Sequence, residues 1–447
     1  MIRTPIDARI VREHIVASGL ESVGQASIRE LNRLVLDIEK SSDVRFIRME
    51  MGIPGLPPPR LGIEAEIEAL KRGVGSKYPP FDGIPQLKAE ISRFVLNFLD
   101  VKIDAAHCMP TVGSMQGCYM GLMVASRRVS GRDGILFIDP GFPVNKTQTK
   151  VIGIESESFD IYDCRGERLR ERLESFLEKG RFAAVMYSNP NNPSWICLTE
   201  RELKIVGELC TKYDVVALED LAYFGMDFRQ DYSQPGVAPF VPTVAKYTDN
   251  CILLISSSKS FSMAGQRIGM MALPDALFLS RSENLRKYFA TDRFGHALGF
   301  GAMYAVSSGV SHSAQYGLTA VLRAANEGSY DFVDSVREYE YRAKEMKRIF
   351  AENGFLLVYD RDEDRAIADG FYFTLSYPGF GGADLVEELL YYGISAISLS
   401  TTGSTREGIR ACVSLTGRER FPELEERLKQ FHKNQKRGLR AIQRPGL

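Results

Sequence analysis

The chain has 447 residues, 44% of them hydrophobic and 25% charged, which is enough for two domains with cores of their own. Its 56 Lys and Arg stand against 57 Asp and Glu, so a net charge of -1 gives no field that would favour nucleic acid or an anionic membrane surface. No run is apolar for long enough to span a bilayer and the first twenty residues lack the apolar centre of a signal peptide, so a soluble cytoplasmic protein is expected.

In chain order, SIRELNRLVLDIE (27–39) opens with a capping box. Ser27 caps, Glu30 reaches back, and Ile28, Leu31, Leu34, Val35 and Ile38 share one helical face. GIPGLPPP (52–59) excludes helix and central strand and reads as a rigid, extended crossing between domains. From residue 62 helix and strand alternate. LGIEAEIEALKRG and IPQLKAEISRFVLNFL are helical. The short apolar runs ILFID (135–139), FAAVMY (182–187), VVALED (215–220), CILLIS (251–256) and IGMMAL (268–273) are strands, most of them separated by amphipathic helical stretches. That alternation predicts an α/β fold: a mainly parallel sheet sandwiched by helices, with its ligand at the carboxyl ends of the strands.

After about residue 330 the pattern changes. SVREYEYRAKEMKRIFAENG is a long amphipathic helix, FYFTLSY alternates as a strand, DLVEELLYYG returns to helix, and strand-like ACVSL precedes a last helix over 422–433. This predicts a second, smaller α+β domain. The basic tail KNQKRGLRAIQRPGL (433–447) carries no pattern and reads as a loosely held end. There are no internal repeats. The seven cysteines and five histidines are dispersed, with no CxxC, no metal-ligand spacing and no Ser-His-Asp signature, so no metal is expected and the chemistry must come from elsewhere.

The stretch SSSKSFSMAGQR follows the strand CILLIS directly and places Lys259 at its carboxyl end, with Arg267 eight residues on. A lysine amine freed of its proton by burial or a neighbouring cation is a nucleophile toward carbonyls. Its best-known use is the Schiff base with pyridoxal phosphate. That cofactor needs a carboxylate on its ring nitrogen, donors for its phenolic oxygen, an aromatic face, and a phosphate site built from a helix N-terminus, hydroxyls and an arginine. Each need has a candidate. VVALED ends in Asp220, with Tyr223 one turn later; SNPNNPS supplies Asn192; TVGSMQGCYMGL offers Gly113, Ser114 and Met115 at a helix start; DPGFP puts Phe142 after a strand; Ser256 and Arg267 flank the lysine.

The order GSM, DPGF, NPNNP, EDLAY, SSSK, an arginine eight residues on, and an arginine in GIRACVSL resembles the class I/II aminotransferases, the aspartate-aminotransferase-like group of fold-type I pyridoxal-phosphate enzymes, over about 25–432. The resemblance implies a seven-stranded-type sheet in a large domain over 62–328, and a small α+β domain formed from 1–61 and 329–447. It implies that Lys259 carries the cofactor as a Schiff base and shuttles a proton, that Asp220 pairs with the ring nitrogen, and that Asn192 and Tyr223 bond the phenolic oxygen. Phe142 would stack on the ring. Ser114, Ser256, Arg267 and the backbone at Gly113 and Met115 would hold the phosphate. Tyr78 in KYPPFDGIPQL matches the tyrosine that reaches the phosphate of the other subunit, implying a homodimer with shared active sites. Arg410 matches the clamp on the substrate α-carboxylate, Asn192 is a further substrate contact, and Gly52 matches the glycine that closes over the carboxylate.

Two places depart from the family's wording. Trp195, the only tryptophan, stands where NPxNP[ST] is followed by glycine, and SLSTTGSTREGIR lacks the family's Pro-Gly-Ser-x-Phe. The segment 307–332 fits no substrate subclass. The expected activity is transfer of an amino group between an L-amino acid and a 2-oxo acid. A pyridoxal-phosphate lyase, for instance carbon–sulfur β-elimination, would use the same residues, and only its products would differ. A pyridoxal-phosphate-binding regulator is the third reading, disfavoured because the chain begins near the fold's own first helix.

Overall fold

The computed structural model describes residues 3–442. They fall into two compact units. One comprises Leu56–Asn191 and Cys197–Arg337; the other comprises the described residues up to Gly55, Asn192–Ile196, and those from Glu338 on.

The larger unit is built on a seven-stranded sheet. In chain order its strands are β1 (Cys108–Thr111), β2 (Gly134–Asp139), β3 (Ser156–Asp160), β4 (Phe182–Ser188), β5 (Val216–Leu221), β6 (Cys251–Ser256) and β7 (Gly269–Ala272). Their order across the sheet is β1-β7-β6-β5-β4-β2-β3. Strands β3, β2, β4, β5 and β6 run parallel, while β7 is antiparallel to both of its neighbours. The five apolar runs of the sequence are all strands of this sheet, and β2, β5, β6 and β7 are buried at every position. The sequence pattern did not signal β1 or β3, the two edge strands. The first is four residues long and holds Pro110, tolerable only where no ladder donor is needed. The second, SESFD, buries a single side chain.

The helix Gly113–Ala125 lies so close to the sheet that a Cβ on Gly117 would meet Leu254 at 2.8 Å and one on Gly121 would meet Leu218 at 2.9 Å. The helices Arg60–Lys71 and Pro85–Leu99 stand where the periodicity put them, the second starting on proline, whose missing N–H a first turn does not need. Residues 52–59 are neither helix nor strand.

The smaller unit holds a four-stranded antiparallel sheet of β8 (Leu356–Leu357), β9 (Tyr372–Ser376), β10 (Ile397–Ser398) and β11 (Ile409–Cys412), in the order β10-β11-β9-β8. Strand β11 begins two residues before the predicted ACVSL run and so includes Arg410, opposite Thr374 on one side and Ile397 on the other. Helices Glu338–Glu352, Gly382–Leu390 and Phe421–Lys436 match the predicted ones within a few residues. The capping box is formed: Ser27 Oγ accepts from Glu30 N, and the Glu30 carboxylate accepts from Ser27 N at 2.8 Å. Helix Ala8–Ser18 was not expected. Only Val11 of it is buried, too thin a stripe to read.

The tail corrects the expectation of a loose end, as far as it is described. The last helix runs to Lys436, Arg440 donates to Gly379 O at 2.6 Å, and Ala441 is fully buried. Residues 443–447 lie outside the described residues. No helix among the described residues is long and apolar enough to cross a membrane.

Candidate active site

The parallel strands end in the loops that carry most of the candidate residues. On β5, Glu219 and Asp220 are consecutive, so their side chains leave opposite faces of the sheet. Asp220 is buried, and its Oδ1 has no hydrogen-bond partner among the described residues. Burial pushes its carboxyl up to about 7, against the opposing effects of the Lys259 ammonium and the Ala222 N–H. An acid left in that condition is a place for a cationic donor. Tyr223, three residues on, is buried as well.

Beyond β6 the chain makes a single helical turn, Ser257–Ser260, that presents Lys259. The small polar residues around it are structural joints. Ser256 Oγ accepts from Ser258 N at 3.1 Å and starts the turn. Ser257 donates to Ile268 O at 2.5 Å, and Ser260 to Phe224 O at 2.8 Å. The lysine therefore stands on a capped turn pinned to neighbouring segments at two points. Lys259 itself is half-buried.

The chain then returns through Arg267, in the left-handed region at φ 51°. This places its guanidinium over the start of helix Gly113–Ala125. A Cβ on Gly113, itself at φ +65°, would lie 2.7 Å from Arg267 Nη2. That helix has no side-chain cap at its N-terminus, so the first-turn N–H groups of Gly113, Ser114 and Met115 remain as donors beside a cation. Such an arrangement is suited to an anion. Phe142, which follows β2 and precedes helix Pro143–Ile152, lines the same cleft as Asp220, Gly141, Asn145 and Ser188. Sequence reasoning missed Cys118. Its thiol is driven well up by burial and by the Asp220 charge. Nothing local marks a cysteine inside an apolar helix as a neighbour of Asp220.

The other NPNNP asparagines shape the loop: Asn189 Oδ1 accepts from Leu198 N at 3.0 Å, and Asn191 donates to Pro140 O at 2.8 Å. Tyr78 does not join the group around Lys259. It is 91% exposed, on a loop ahead of helix Pro85–Leu99.

The smaller unit gathers the remaining candidates. Arg410 is 1% exposed, and no carboxylate among the described residues lies within ion-pairing distance of it. Its Nη2 donates to Glu50 O at 2.5 Å, its Nη1 lies 3.4 Å from Asn192 Oδ1, and its Nε has no partner among the described residues. A buried guanidinium held only by neutral oxygens is short of one anion. Gly52 belongs to the same cluster, since a Cβ there would fall 2.0 Å from the hydroxyl of Tyr372. Tyr372, absent from the sequence-based candidates, lies under Arg410 with its ring centre 4.5 Å from Cζ. No spacing rule could have found it, because it meets Arg410 through the pairing of β9 with β11.

The larger unit thus offers what pyridoxal phosphate requires: an amine on a rigid turn, a buried carboxylate oxygen without a partner, and an uncapped helix start beside an arginine. Comparison with known proteins agrees. A model of the family "Aminotransferase class I and II" matches residues 46–418. A probable aspartate aminotransferase of Methanocaldococcus jannaschii is 26% identical over 331 residues, 73% of this chain and 78% of that protein. The LL-diaminopimelate aminotransferase of Natranaerobius thermophilus is 28% identical over 237 residues, 52% of this chain and 58% of that protein. In fold, the chain is similar to Thermus thermophilus aspartate aminotransferase with maleate, at a TM-score of 0.72 and 17% identity over 91% of this chain and 96% of that one. It is likewise similar to an aromatic aminotransferase from Pyrococcus horikoshii, at 0.71 and 21% over 90% and 99%. The chain belongs to the aminotransferase class I and II family and is a pyridoxal-phosphate-dependent aminotransferase.

Proposed function

We propose that this enzyme moves an amino group between an L-α-amino acid and a 2-oxo acid, with Lys259 as the residue that both holds the cofactor and moves the proton. When bound, pyridoxal phosphate supplies an electron sink for charge developing at the substrate α-carbon. Asp220 would keep the ring nitrogen protonated. Tyr223 and Asn192 would bond the phenolic oxygen, and Phe142 would cover the ring. Arg267, the hydroxyls of Ser114 and Ser256, and the N–H groups of Gly113, Ser114 and Met115 would hold the phosphate. Lys259 Nζ would accept the proton from the α-carbon of the substrate and hold it for return. Arg410 binds the substrate carboxylate, with Gly52 closing over it, and so fixes which bond to the α-carbon is broken.

The observation that carries this reading is the buried Asp220 oxygen without a partner, its carboxyl raised to about 7 within the field of Lys259. The assembly we propose is a homodimer in which Tyr78 completes the partner's phosphate site. Its support is a stripe of exposed apolar side chains on helix Arg60–Lys71, Ile63, Ile67 and Leu70, followed by the exposed Tyr78. We assign residues 62–328 to the cofactor domain and 1–61 with 329–447 to the small domain. A reducing cytoplasm suits the seven cysteines, all free.

The test is the visible spectrum of the purified protein with pyridoxal phosphate, read as amino acids are added singly. Aspartate, LL-diaminopimelate and kynurenine come first, because relatives are named for them. Bleaching of the yellow band by one donor, restored by a 2-oxo acid, is the expected result. A band that persists while ammonia accumulates would replace transfer by elimination. Absence of the band in Lys259→Ala, with its presence in the wild type, would identify the lysine.

A further inference from the structure

Trp195 has a φ of 64°, a region that non-glycine residues rarely occupy and that costs a bulky one most. It is also the only tryptophan of the chain and has no exposed surface. A strained backbone that persists is held by what surrounds it, and here the surroundings are specific. The indole lies directly on the backbone of Gly370, where a Cβ would fall 2.1 Å from Cε2. Its ring meets Tyr372 edge to face, with centroids 6.2 Å apart and planes at 67°.

Tyr372 is the next link. In the β9–β11 pairing Thr374 is opposite Arg410, so Tyr372, two residues before Thr374, projects from the same face of the sheet as the arginine and lies diagonal to it. Its ring sits under the guanidinium at 4.5 Å. At its other end the hydroxyl abuts Gly52, where a Cβ would come within 2.0 Å. The ring is therefore fixed on one side by the indole and at its tip by a backbone. Among the described residues Arg410 has no acid to orient it. The carboxylate of Glu50, whose carbonyl it uses, is engaged by Arg48 at 2.7 Å and by Ser395 at close range.

We infer that Trp195 and Tyr372 are positioning residues for the substrate-carboxylate clamp: the face of Tyr372 holds the plane of the Arg410 guanidinium, and Trp195 holds the plane of Tyr372. The inference rests on the reading of Arg410 as that clamp. A bidentate grip on a carboxylate needs its fork aimed within roughly 10–20°, and an aromatic face beneath a buried guanidinium fixes that aim while partly compensating the missing counter-ion. The strained conformation of Trp195 is then retained because relaxing it would release the ring.

The experiment titrates holoenzyme with butanoate, a carboxylate with no amine to transfer, at constant ionic strength, by isothermal calorimetry. In parallel the emission of the single tryptophan is followed. In the wild type, saturable binding with a change in Trp195 emission is expected. Tyr372→Leu should weaken butanoate about ten-fold, whereas Tyr372→Phe, which keeps the ring, should stay within about two-fold. Trp195→Gly, which suits the left-handed backbone but frees the ring, should weaken it roughly five-fold, with the KM for the amino donor rising by the same factor and kcat changing less. If Tyr372→Leu and Trp195→Gly bind butanoate as the wild type does while Arg410→Met does not, the positioning role is overturned and the clamp stands. If Arg410→Met binds as tightly as the wild type, the clamp reading itself fails. Should Trp195→Gly not fold, the Tyr372→Leu and Tyr372→Phe pair decides alone.

Discussion

Glu219 and Asp220 are adjacent carboxylates on one strand, both raised by burial to about 7, yet only one of them is satisfied. On one face of the sheet Glu219 accepts from the Thr243 hydroxyl at 2.5 Å, from Tyr187 at 3.2 Å and from Val244 N. On the other face Asp220 keeps an oxygen without a partner among the described residues. The alternation of strand side chains puts the first in a structural network and the second in the candidate site.

This difference has a pH signature. Between its ordinary 3.8 and about 7, the folded protein holds a proton on Asp220 that the unfolded chain has already lost. The group therefore costs the cofactor-free protein stability, little near pH 4 and fully above pH 7. Asp220→Asn removes that cost. Its Tm without cofactor should exceed the wild type's by roughly 2 °C or more at pH 8 and by less at pH 5, while its affinity for pyridoxal phosphate should drop at least ten-fold. Thermal melts at the two pH values and a cofactor titration read both; a pH-independent Tm difference, or unchanged cofactor affinity, would refute the assignment. Glu219→Gln, by contrast, should lower Tm at both pH values and leave cofactor affinity within about two-fold, since its partners are all structural.

The proposed phosphate cradle is tested at Gly113. An alanine there suffers the left-handed φ and also drives its Cβ to within 2.7 Å of Arg267 Nη2. Gly131, at φ +76° with nothing within 4 Å, suffers only the first. Both alanine variants should lose about 1–2 kcal/mol of stability. Only Gly113→Ala should also raise the dissociation constant of pyridoxal phosphate, about ten-fold, because Arg267 must move. Equal cofactor affinities in the two variants, by equilibrium dialysis, would remove Arg267 from the site.

Much of this was legible in the sequence, for identifiable reasons. The five central strands carry their polar residues at or near their ends and are otherwise apolar and almost wholly buried, so each stands out as a short apolar run. Lys259 and Asp220 are candidates in the sequence because one follows such a strand and the other closes the apolar run of another, and Arg267 because of its spacing after Lys259. What remained hidden depends on pairing between distant segments. Arg267 over Gly113 joins residues far apart in the chain, and Tyr372 under Arg410 requires the β9–β11 register, which no single segment encodes. Trp195 departed from the expected glycine in side chain but kept a glycine-like backbone, which only coordinates reveal.

Gly52 gives a contact that can be broken and repaired. In Gly52→Ala the new Cβ would strike the Tyr372 hydroxyl at 2.0 Å, while the next atom, Cζ, lies 3.2 Å away. The variant should therefore raise the KM for the amino donor several-fold. Tyr372→Phe in the same chain removes the clashing oxygen and should recover most of that loss, a coupling that a double-mutant cycle measures. Failure of the second substitution to restore KM would mean that Gly52 acts through its backbone conformation alone.

The tail supplies the last test. Glu388 is fully buried in helix Gly382–Leu390, and its carboxylate accepts from Ala441 N at 2.9 and 3.1 Å, from Ile442 N at 2.9 Å and from Gln435 at 3.2 Å. A buried carboxylate is tolerable only with such donors, and each charge-assisted bond contributes on the order of 1.5–3 kcal/mol. Truncation after Gly438 removes both N–H donors and leaves the acid buried, so Tm should fall by about 4 °C or more. In Glu388→Gln the same truncation should cost distinctly less, because a neutral amide is cheaper to leave without those partners. Equal losses in the two backgrounds would show that the tail contributes through its apolar burial and that the carboxylate does not anchor it.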